Sequence, residues 1–211
     1  GTVYQFPVGK GSTYLPFTLV NPTTSGTSSA KVEAFSSNCG GSADGTTLSS
    51  ISTSEYWSLV TGTNFTNSSV TLAKAIAVAP MDAIGGSTTA NGSYTLLSGT
   101  KNPYSISNSD LIGTKRFFTL AKGKPFINTP SPTTLSGFSY YYGLGPSTDQ
   151  SFTISSRYLI DNLIIQAPTN YEISAYLGAY FVPNSSISFL VSEGVTNTTV
   201  YVRLKAGLNV G

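Results

Sequence analysis

The chain has no histidine, one cysteine and nine carboxylates, so any chemistry must run without an imidazole. Ser-His-Asp and Cys-His nucleophile systems are excluded, as are zinc sites that use histidine. Cys39 is alone, so it forms no disulfide within the chain and supplies no thiolate cluster; in Ser-Asn-Cys-Gly-Gly-Ser it reads as an unpaired loop thiol. The acids are Glu33, Asp44, Glu55, Asp82, Asp110, Asp149, Asp161, Glu172 and Glu193. Glycoside hydrolysis needs two of them facing each other across a cleft, and none sits in a recognisable pair. Asp44 and Asp82 lie in Gly-rich or turn contexts that suit calcium. No Asp-x-Asp-x-Asp run accompanies them, so they read as solvated loop aspartates. The sequence predicts a protein that is not an enzyme and uses no cofactor.

The aromatic residues are the other candidates. Tyr140-Tyr141-Tyr142 is the most unusual cluster; in a strand Tyr140 and Tyr142 would share one face and Tyr141 the other. Tyr176 and Tyr180 form a second group beside Phe181. Each cluster reads either as ordinary sheet-surface packing or as a contact with surface glycans or a neighbouring subunit. Trp57, the only tryptophan, is expected to anchor a core. Net charge is +2 with no basic stripe, so nucleic acid is not an expected partner. No apolar run is long enough for a membrane span.

These residues must be positioned by strands. Only 9% of residues are charged, and abundant Ser, Thr and Gly favour pleated surfaces and turns. In the first half the pattern predicts strands at 14–20, 30–35, 56–60, 70–78, 93–97 and 116–121. Within 30–35, Val32 and Ala34 face one way, Lys31 and Glu33 the other. Gly and Ser clusters at 38–45 and 85–92 read as connections. Phe6–Thr13 superficially matches a phosphate loop, but lacks the required residue order and reads as a β-turn. Three prolines in Lys122–Pro132 mark a stiff connector, which places a domain boundary near Lys124. The second half reads as short strands at 134–141, 150–155, 163–167, 171–175, 186–191 and 199–205, spaced as in a sandwich. The expected fold is all-β, with two immunoglobulin-like β-sandwich domains in tandem, residues 1–123 and 124–211.

The second half resembles a repeat module of large secreted proteins of the Bacteroidetes, especially flavobacteria. The resemblance is carried by Leu135-Ser136-Gly137-Phe138, Gly145-Pro146-Ser147, Gln150-Ser151-Phe152, Ala167 to Ser174 and Thr199 to Gly207. The first half is similar to another domain of such proteins through Phe6 to Gly11, Tyr14 to Leu19, Glu55-Tyr56-Trp57 and Arg116-Phe117-Phe118. The resemblance implies export by the type IX secretion pathway, display at the bacterial cell surface or outside it, and roles in adhesion, gliding or filament formation. It implies no catalytic residues. In that family the Lys-Ala-Gly-Leu turn is followed by further strands, so the second domain is expected to lack its final strand or strands.

Two expectations follow about partners. An incomplete sandwich would be closed by a strand from a flanking module of a longer chain, or from a neighbouring subunit in a homo-oligomer or filament. The inward row Val200, Val202 and Leu204 would then face the groove. The alternating segment Gly1–Pro7, with Val3, Tyr4 and Phe6, would be the strand a neighbour donates. The leading function is thus a structural or adhesive surface protein, a segment of a modular adhesin or a filament subunit joined by strand complementation. The alternative is a carbohydrate-binding module that uses the exposed tyrosines.

Overall fold

The computed structural model describes residues 1–183, 186–190 and 195–209. Every regular element among them is a β-strand. The chain divides into two compact units, Gly1–Lys124 and Pro125–Gly211, with the break inside the proline-rich connector.

The strands of the first unit are β1 (Val3–Phe6), β2 (Gly9–Lys10), β3 (Thr13–Tyr14), β4 (Phe17–Thr24), β5 (Ala30–Phe35), β6 (Ser42–Ala43), β7 (Leu48–Ile51), β8 (Tyr56–Thr61), β9 (Phe65–Ala73), β10 (Ala83–Ser87), β11 (Ser93–Leu97), β12 (Gly99–Asn102), β13 (Ser105–Asn108) and β14 (Phe117–Gly123). One sheet runs β1-β4-β9-β13-β12 and a larger one β5-β8-β14-β10-β11-β6, with β7 also paired to β14. Both sheets face one core. Leu19, Val70, Leu72 and Ile106 come from the first, and Val32, Trp57, Leu59, Ile84, Phe118 and Leu120 from the second. Each such side chain contributes about 1.5–3 kcal/mol by leaving water. Trp57 is fully buried and its indole N–H donates to the Leu15 carbonyl at 2.8 Å, which satisfies its one polar atom. The β2–β3 hairpin carries Gly11 at φ 59° in its turn.

Several segments differ from the sequence reading. The strand expected at 70–78 is the end of β9, which stops at Ala73, and residues 74–78 are not strand. The strand expected at 14–20 is broken at Leu15-Pro16 between β3 and β4, and the connection at 38–45 contains β6. The Gly85–Gly92 cluster is not wholly a connection, because Gly85 and Gly86 lie in β10, a strand buried along its whole length between β14 and β11. A Cβ on Gly85 would sit 3.2 Å from Leu48 and 3.3 Å from Tyr94, so close layer packing explains the glycine. Residues 134–141 do not form a strand. Gly137 takes φ 72°, which breaks the extended alternation, and Leu135 and Phe138 reach the core three residues apart.

The second unit contains β15 (Phe126–Ile127), β16 (Gln150–Arg157), β17 (Leu163–Gln166), β18 (Tyr171–Ser174), β19 (Val182–Pro183), β20 (Ser186–Phe189) and β21 (Val195–Leu204). A five-stranded sheet runs β15-β16-β21-β18-β19, and β17 and β20 form a separate pair. Ile154, Ala167, Ile173, Val200 and Val202 are the buried centre of its core, with Leu135, Phe138, Leu163, Ile165, Ile187 and Phe189 packed on it half-buried. The expected strand at 186–191 ends at Phe189, and Val191 lies outside the described residues.

Candidate functional site

The carboxylates hold the fold together rather than opposing one another. Asp44 closes its own loop: Oδ1 accepts from the backbone N–H of Thr46, Thr47 and Leu48 at 2.9–3.1 Å, and Oδ2 from the Thr47 hydroxyl at 2.6 Å. Burial pushes its carboxyl up, but these hydrogen bonds together outweigh that and hold it below its ordinary value. Glu55 is buried, accepts from the Ser52 hydroxyl and pairs with Lys74 Nζ, each at 2.7 Å. Asp82 bridges Lys122 Nζ and the Gly123 N–H, each at 2.8 Å. Glu172 is buried and accepts from Arg203 Nε at 2.5 Å, while the Arg203 guanidinium lies 3.8 Å over the Phe181 ring. Glu193 lies outside the described residues. Among the described residues no three metal-ligating side chains gather.

Cys39 is more enclosed than a loop thiol, with its sulfur accepting from the Gly41 N–H at 3.4 Å. It lies beside Tyr94, whose phenol is pushed well up by burial and by its hydrogen bond to the thiol.

Two features of the second unit remain open. The first is a groove of about 450 Å³ along β17. Its lining combines the Pro130–Phe138 stretch, including Leu135 and Phe138, with Ile165 and Gln166 of β17 and with Phe152, Ile173 and Val202. The layer facing the five-stranded sheet has only β17 and β20 as strands, so one edge of each is unpaired among the described residues. Its core-facing Leu163, Ile165, Ile187 and Phe189 are only half-buried, and Ile164 is exposed on the outer face.

The predicted contact row is split by this arrangement. β21 is central, hydrogen-bonded to β16 on one side and β18 on the other. Val200 is fully enclosed by its own unit and is not available to a second chain; Val202 lines the groove, and Leu204 lies beside Tyr140. Nor is the segment Gly1–Pro7 free. β1 pairs with β4 of its own chain, from Val3 opposite Val20 to Phe6 opposite Phe17. Phe6 meets the Phe17 ring edge-on at 6.3 Å, whereas Val3 and Tyr4 stay exposed.

The second feature is the tyrosine turn. Tyr140 is half-buried and anchored: its hydroxyl donates to the Lys205 carbonyl at 3.1 Å and accepts from the Leu208 N–H at 2.9 Å. Tyr141 and Tyr142 point outward, 83% and 72% exposed. Tyr176 and Tyr180 form an exposed edge-to-face pair at 5.5 Å, with Tyr180 at φ 55°. The tyrosines were readable as clusters. The groove was not, because its lining comes from six separated stretches of chain.

Comparison of the chain with protein-family models, curated proteins and solved structures returns no significant match in any of the three.

Proposed function

We propose that this chain is a non-catalytic structural segment of an extracellular, bacterial cell-surface assembly, built of immunoglobulin-like units, whose second unit accepts a further β-strand along β17. The observation that carries this reading is the two-stranded layer beside its apolar groove. An unpaired sheet edge next to a half-covered apolar row is a template for strand addition. The resemblance of residues 135–207 to repeat modules of exported proteins supports the surface location and the type IX route.

Energetics favour a tethered donor. A short strand that buries on the order of 300 Å² of apolar surface gains about 7 kcal/mol. Fixing about five residues takes back ~5 kcal/mol or more. A free peptide would therefore bind weakly, while a strand carried by a flanking module or a neighbouring subunit binds durably. Because β1 is already paired with β4, donation by a neighbouring subunit is a strand exchange; donation by a flanking module needs none.

Hydrogen exchange tests the reading. In the native assembly the amides of residues 163–166 exchange at least about tenfold more slowly than in the isolated chain, while the strands of the first unit are unchanged. Equal protection in both would reject strand addition at β17.

A further inference from the structure

The turn at residues 140–147 is held at both ends. Besides the Tyr140 anchors, the Ser147 hydroxyl accepts from the Leu204 N–H at 2.9 Å, and the Ser147 N–H donates to the Leu204 carbonyl at 3.2 Å. Between them the Leu144 N–H donates to the Tyr141 carbonyl at 2.9 Å, and Gly143 supplies φ 81°. Gly145 lies against the Tyr140 ring, where a Cβ would come within 2.6 Å. The turn is thus pre-organised. Its product is an outward display of Tyr141, Tyr142 and Leu144, the last 74% exposed.

Ser139, Tyr140 and Tyr141 together line two shallow clefts. One, of about 380 Å³, continues over Tyr142, Leu208 and Asn209; the other, of about 530 Å³, over Leu144, Ser147 and Thr148. Neither lining contains a Lys, Arg, Asp or Glu side chain. A charged ligand would find no ionic partner there. A purely apolar one would leave the hydroxyl and amide groups of the rim unpaired, at a cost. A ligand with apolar C–H faces and a fringe of hydroxyls matches both features: the faces lie on the tyrosine rings and the hydroxyls meet Ser, Thr and Asn. We propose that the tyrosine turn is a binding site for neutral oligosaccharides, with Tyr141 as the stacking platform and Tyr140 as the residue that positions it.

Tyr180 provides an internal control. It is about as exposed as Tyr141, but lines neither cleft. Affinity electrophoresis of the whole chain through gels containing β-glucan, xylan or mannan tests the site, with alginate as an acidic comparison. At least one neutral polysaccharide retards the chain. Tyr141→Ala weakens that retardation about tenfold, the loss of roughly one aromatic contact. Tyr141→Phe, which keeps the ring, retains most of it, and Tyr180→Ala leaves it unchanged; circular dichroism confirms that each variant is folded. Absence of retardation by every neutral polysaccharide would overturn the proposal. So would retardation by alginate alone, or loss in Tyr180→Ala equal to that in Tyr141→Ala.

Discussion

At the residue scale, two acids show how much a side chain's setting changes its meaning. Glu55 and Lys74 form a buried pair, so removing one partner strands the other. Lys74→Met is expected to cost about 3–5 kcal/mol, read as a lower denaturation midpoint. The double change Glu55→Leu with Lys74→Met recovers most of that loss, because no buried charge is left. If the double variant is as unstable as the single one, the pair is not the cause. Asp44 acts through pH. Its carboxyl is held below the ordinary value of 3.8, so the stabilisation it supplies is fully present above that value. It is lost as the pH falls through the lower folded value. Asp44→Asn therefore costs about 1–2 kcal/mol at neutral pH, and less once the pH has fallen through the lowered folded value. A loss independent of pH, in melts across pH 2–7, would contradict the assigned ionisation.

At the scale of elements, what could be read depended on whether local pattern and final position agree. Ala30–Phe35 alternates cleanly and is β5 with the same bounds; Ser93–Leu97, bounded by Gly and Ser, is β11 with the same bounds. β10 was hidden because Gly-Gly is a turn signal in sequence, while in the fold it makes room between Leu48 and Tyr94. Gly85→Val is accordingly expected to lower stability by about 1–3 kcal/mol through overpacking, measured by chemical denaturation. A neutral effect would mean that the neighbouring layer yields. Residues 134–141 failed the opposite way: the apolar pattern looked extended, but Gly137 takes a positive φ that breaks it, and Leu135 and Phe138 both line the groove. The tyrosine turn was visible as a cluster of residue types. Its rigidity was not, because the anchors come from Ser147, Leu204, Lys205 and Leu208.

At the scale of the whole molecule, the two units differ in how completely each encloses its core. In the first, two sheets face a centre that includes fully buried Trp57, Phe17 and Phe118. In the second, a small buried centre is ringed by half-covered apolar side chains. Calorimetry is expected to show two transitions, with the second unit melting first; a single cooperative transition would contradict independent cores. Under the proposed strand addition, the donor strand would complete the covering of that second core beside β17. A benzophenone amino acid substituted for Gln166, which lines the groove, reports directly on what lies beside β17 in native material. One dominant crosslink is expected, to an extended segment outside residues 125–209, with the donor, a flanking module or residues 3–6 of a neighbouring subunit, read by mass spectrometry. Crosslinks confined to the probe's own second unit, in material otherwise fully assembled, would contradict it.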